Sequence, residues 1–178
     1  MATPPTFSVG ATLTAAQMNA VGLWLVKSQT VGTGVSSVTV SNAFSADFDA
    51  YRIVASGVSS TGTGNSAGLQ LSGLTSGYYA GIAYLTYGSS TVTGSTDNNL
   101  SQWFFAGSYS SEGLVMSCDL INPFLAKPTI LANANYASHI AGGVYGKQTS
   151  STSATGFTIS TPAGTMTGGT IRVYGYRN

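Results

Sequence analysis

From Gln29 to the end of the chain, apolar side chains recur at every second position, in short runs separated by clusters of Gly, Ser and Thr. Val38 and Val40, Tyr51, Ile53 and Ala55, Leu69 and Leu71, and Ile82 and Tyr84 within Gly81 to Tyr87 are the first of these runs. Gln102 to Ala106, Leu114 to Ile121, Thr129 to Tyr136, Ile140 to Gly146 and Gly156 to Ser160 continue the pattern. Strand side chains alternate between two faces, so this periodicity predicts about ten half-buried strands. The closing run sharpens the point: Ile171, Val173 and Gly175 fall on one side of an extended chain and Arg172, Tyr174 and Tyr176 on the other. A terminal strand of that quality belongs inside a sheet, where its loss would unravel the fold.

The expected class is therefore mainly β, a two-sheet antiparallel β-sandwich of jelly-roll type with one short N-terminal helix. Asn122 to Pro128 contains two prolines, which cannot donate to a ladder, and reads as the connection of a long hairpin. Gly57 to Asn65 and Gly88 to Asn99 are the longest polar runs and read as surface loops. Thr14 and Gln17 have capping-box spacing, and Leu13 and Met18 can form a hydrophobic staple. These signals predict a helix over 14–26, ending before Gly32, with Met18, Val21 and Leu25 on one face and Trp24 beside it. That face is the candidate oligomer or anchor surface. Met1 to Gly10 is Pro-rich and should reach outward to bind something else. The expected division is an anchoring segment over 1–30 and a β domain over 31–178.

Charged residues make up 6% of the 178, against roughly a quarter in an ordinary soluble domain. With a net charge of +1, the chain has no field to draw it to nucleic acid or an anionic membrane. Hydrophobic residues at 43% exclude disorder, yet no run approaches the length needed to cross a bilayer. Surfaces solvated by neutral hydroxyls lack the repulsion that keeps copies apart, so self-association is expected.

Candidate chemistry is sparse. Gly64-Asn65-Ser66-Ala67-Gly68 matches a nucleophile elbow, but a loop precedes it and a strand follows, the wrong context for an exposed serine. His139 is the only histidine, and no second base or ligand repeats near it. Asp47 and Asp49 share a face if extended, but read as a solvated turn leading into the strand at Tyr51. Asn99-Leu100-Ser101 matches a glycosylation acceptor without a preceding signal peptide. The lone Cys118 alternates with Leu114 and Met116 and reads as a small buried hydrophobe. No catalytic, metal or cofactor-binding residues are assigned, and no enzyme activity is expected. Tyr78, Tyr79, Tyr84 and Tyr87 are candidate receptor contacts, with Trp103 and Tyr109 nearby, because aromatic rings stack on sugars. Aromatics also dominate sheet packing, so the same residues fit a core or a subunit interface.

Two segments carry a resemblance. Gly10 to Ala20, continuing as Val31-Gly32-Thr33-Gly34-Val35-Ser36-Ser37-Val38-Thr39-Val40, resembles the N-terminal region of virion appendage proteins of tailed bacteriophages. The ending Gly164-Thr165-Met166-Thr167-Gly168-Gly169-Thr170-Ile171-Arg172-Val173-Tyr174-Gly175-Tyr176 is similar to the same family. The resemblance implies a minor tail, fibre or collar type of structural protein, assembled in a host cytoplasm and displayed on the virion. It further implies a homotrimer whose N-terminal part anchors to other virion proteins, with no catalytic residues. Capsid decoration or a head fibre, and a module binding host surface glycan, are the alternatives. No long shaft separates anchor from domain, which departs from a long fibre.

Overall fold

The computed structural model of the chain describes residues 10, 12, 22–62, 65–137 and 140–176. Its elements are all strands. β1 spans Leu23–Thr30, β2 Ser37–Val40, β3 Ala50–Ser60 and β4 Asn65–Leu71. β5 (Tyr78–Thr86), β6 (Val92–Leu100), β7 (Trp103–Ser110) and β8 (Gly113–Ile121) follow. The last five are β9 (Thr129–Ala137), β10 (Ile140–Gln148), β11 (Phe157–Ser160), β12 (Met166–Thr167) and β13 (Thr170–Tyr176). Every pairing among them is antiparallel.

The network branches at β8. One edge of β8 pairs with β3 from Leu114 to Ile121. Its other edge is shared: Gly113 to Val115 pair with β7, and Cys118 to Ile121 with β9. From that fork one branch runs β7, β4, β11, β2 and the other β9, β10, β5, β6. On the far side β3 pairs with β13, and β13 with β1. The expected β8–β9 hairpin around Asn122 to Pro128 is present, with Ile121 opposite Ile130.

Alternation places the core. Ile171, Val173 and Gly175 of β13 are buried and Arg172, Tyr174 and Tyr176 are half-buried, the register read from the sequence. Tyr51, Ile53, Leu114, Met116, Cys118 and Leu120 line the same interior as Leu69, Leu71, Phe157 and Ile159. The Phe44 ring bridges the two sets, packed edge-on to Tyr51 at 4.8 Å and stacked on Phe157 at 5.6 Å. Burial pushes the Cys118 thiol up to about 12, so it is the inert apolar residue expected.

Three sequence expectations need correction. Leu23 to Val26, the end of the helix expected over 14–26, belong to β1; residues 14–21 lie outside the described residues. Four consecutive apolar residues fit either period, and the open edge of β13 decides for strand by offering a ladder partner. Residues 23–30 are therefore paired into the same sheet as the rest. Gly88 to Asn99 is not a long loop, since Val92–Leu100 forms β6 against β5. It was invisible to periodicity because nearly all its side chains are exposed, Asp97 alone being buried. Gly57 to Asn65 is likewise shorter than expected, as β3 continues to Ser60 and β4 begins at Asn65.

Candidate functional site

Two regions of the surface depart from an ordinary hydroxyl-covered sheet. The first is the β1 edge. Leu23 and Leu25 lie opposite Tyr176 and Tyr174, while Trp24 lies opposite Gly175 on the other face. All three are strongly exposed, Trp24 at 42% and Leu25 at 50%. Among the described residues the second edge of β1 has no partner. Met18 and Val21, expected on the same surface, lie outside the described residues.

Next to that edge, Arg52 of β3 makes two 2.9 Å hydrogen bonds to the Asp119 carboxylate of β8, and Tyr176 donates a third at 2.7 Å. Burial pulls the Asp119 carboxyl up, but the bonds from Arg52 and Tyr176 and the Arg52 charge outweigh it and hold it below the usual carboxylate range. The same bond to Asp119 raises Arg52. The Arg52 guanidinium also sits 5.9 Å from the Tyr176 ring centroid.

The second region is the outward face of β6, β5 and β10. Register puts Thr96, Gly81 and Tyr145 in one row across the three strands and Gly94, Ala83 and Gly143 in the next. The second row is almost bare backbone, so the face is hollowed into two adjoining shallow depressions of about 550 and 580 Å³ that share Gly81, Thr96 and Tyr145. A Cβ built on Gly81 would meet nothing within 4 Å, and one on Gly143 would lie 3.8 Å from Tyr145 Cε2. The Tyr145 ring, 70% exposed, therefore leans over the bare row. Exposed Leu85 and Val92 bound the opposite side.

The expected aromatic contacts divide. Tyr78 is a core residue and not a receptor contact: its hydroxyl accepts from Leu71 N at 2.8 Å and donates to Leu74 O at 3.1 Å, and burial raises it to about 12. Trp103 and Tyr109 are also fully buried. Trp103 packs edge-on to Tyr78 at 5.0 Å and its indole N–H donates to Tyr79 O at 3.1 Å, which fixes β5 from beneath. Tyr84 is half-buried against the core. Tyr79, 39% exposed, and Tyr87, 53% exposed, remain on the surface, and only Tyr79 borders the hollow. Tyr145 was missed. Its signal was the alternation of Gly143, Tyr145 and Lys147 around buried Val144.

The other motifs find no chemistry. Ser66 sits within β4 opposite Ser108, as the strand context required. Asp47 closes a turn, accepting from Ser45 Oγ at 2.9 Å. The Asp49 carbonyl accepts from Asn122 N at 2.7 Å. Asn99 Oδ1 accepts from Gly77 N at 3.1 Å, a turn role. His139 lies outside the described residues. Among the described residues no three His, Cys, Asp or Glu side chains gather as a metal site would need. No family model, curated protein or solved structure matches this chain.

Proposed function

We propose that the chain is a structural virion protein of a tailed bacteriophage, a non-enzymatic β-sandwich displayed on the particle as a homo-oligomer, with the trimer as the symmetry the resemblance implies. The two branches leaving β8, with Phe44 between Tyr51 and Phe157, support reading the network as two packed sheets. The observation that carries the proposal is β1. An edge strand with exposed Leu23, Trp24 and Leu25 and a single charged residue is a surface that proteins normally cover. It directly follows the segment to which the resemblance assigns anchoring, so the anchor is best assigned to residues before 22 together with the exposed side chains of β1. The tail is the favoured location, and capsid decoration is the alternative.

The test uses two variants in parallel. Trp24→Ser with Leu25→Ser should shift sedimentation from a multiple of 18.1 kDa towards the monomer. Removing residues 1–21 leaves β1 in place and should abolish incorporation into particles while the β fold persists. A wild-type monomer at micromolar concentration, or normal incorporation of the truncation, overturns the reading; imaging of labelled particles separates tail from capsid.

A further inference from the structure

We infer that the hollow over β6, β5 and β10 is a saccharide-binding site, with Tyr145 as its stacking platform and Thr96 and Lys147 as its hydrogen-bonding groups. Sugar rings present a flat face of C–H groups edged by hydroxyls. They bind where an aromatic ring stands beside neutral polar groups above accessible backbone. The face supplies each part. Gly81, Ala83, Gly94 and Gly143 leave the floor open. Tyr145 rises from β10, which is paired along its whole length to β9 on one edge and β5 on the other, so the ring is carried on rigid backbone. Little ordering entropy is then lost on binding.

The charge pattern fits the same ligand class. Asp97 is the one carboxylate near the hollow, and it is buried, with Oδ2 accepting from Phe104 N at 2.8 Å. Lys147, opposite Tyr79 on β10, is exposed and makes no ion pair among the described residues. The rim therefore offers one ammonium and neutral groups and no exposed anion. That suits a neutral or singly acidic saccharide and is poor for a polycation. Extended peptides are the competing ligand, but they gain most from a free sheet edge. The hollow lies across the faces of three paired strands, beside the outer edge of β6 and not along it.

The inference concerns the isolated protein and stands or falls apart from the virion assignment. The probe is a panel of oligosaccharides built from glucose, galactose, mannose, N-acetylglucosamine and hexuronic acid, screened by saturation-transfer NMR and titrated by calorimetry. At least one member should bind the wild-type protein. Tyr145→Ala should weaken it about tenfold or more at unchanged melting temperature. Gly81→Gln and Gly143→Gln, whose added side chains have room to enter the hollow, should block it. Tyr87→Ala, outside the hollow, should leave it unchanged. No binder in the panel overturns the inference, as does a binder indifferent to both Tyr145→Ala and the filling variants. Binding of extended hexapeptides in place of saccharides would assign the hollow to a peptide and equally overturn it.

Discussion

Arg52 and Asp119 face each other directly across the β3–β8 ladder, and Tyr176 reaches the same carboxylate from β13. Three strands are thus tied by one acidic group on the outer face. The pair is partly open to solvent, with 39% of the Arg52 side chain exposed, so screening limits it to about 1 kcal/mol or less. A double-mutant cycle with Arg52→Met and Asp119→Asn should return a coupling energy of that size; a value near zero would show the fork to be a passive contact.

Asp119 and Asp97 should drive stability in opposite directions with pH. The folded Asp119 carboxyl lies below its unfolded value of about 3.9, so its contribution is complete above that pH and is lost as acid drives the pH through the folded pKa. Burial raises the Asp97 carboxyl, although the bond from Phe104 N opposes this, so the native state holds that proton more tightly than the unfolded chain. Stability from Asp97 therefore improves as pH falls through its folded pKa towards about 3.9. Urea midpoints between neutral and acid pH should show Asp119→Asn removing the acid-side loss and Asp97→Asn removing the opposing trend. Parallel curves for both variants would contradict the assignment.

Val173 faces the core with no exposure, whereas Arg172 on the other face bonds Ser56 Oγ at 3.0 Å. Val173→Asp puts an unpaired carboxylate among apolar side chains at a cost of several kcal/mol, a large part of the roughly 5 to 15 kcal/mol a domain possesses. It should collapse soluble yield. Arg172→Ser should change stability by less than about 1 kcal/mol.

Glycines on the inner face of β10 and on the outer face of β5 should respond differently to a methyl group. A Cβ at Gly146 would come within 2.7 Å of Trp103 Nε1 and 2.9 Å of Tyr79 O, and one at Gly142 within 2.4 Å of Ala83 O. Gly142→Ala and Gly146→Ala should each destabilise by about 1 to 3 kcal/mol through overpacking. Gly81→Ala, with nothing nearby, should be close to neutral. Thermal melts of the three variants decide it.

The strands that alternate on one buried face were legible from the residues: Ile171 and Val173, Tyr51 and Ile53, Leu69 and Leu71 each gave the correct inner side. β1 was not, because Leu23 to Val26 carry no period and the deciding partner, β13, lies at the far end of the chain. β6 was not, because its ladder to β5 holds a strand of mostly exposed side chains that carry no apolar alternation. The aromatic candidates failed for a related reason. Tyr78 and Tyr79 are adjacent in sequence and point to opposite faces, one sealed by Leu71 and Leu74 and the other beside the hollow. Only the register assigns them.

The pairing of the first strand with the last has a topological consequence. Leu23 is the cross-strand partner of Tyr176, so the two ends of the sheet-forming chain stand about 5 Å apart. The path between them is nearly a closed ring. A short linker joining residues 22 and 177, with the chain reopened in the turn between β5 and β6, should give a circular permutant with the same sheet. By the same geometry, cargo fused after residue 176 would emerge beside whatever grips the start of β1, shielded by it, while cargo placed in the β5–β6 turn would sit beside the hollow.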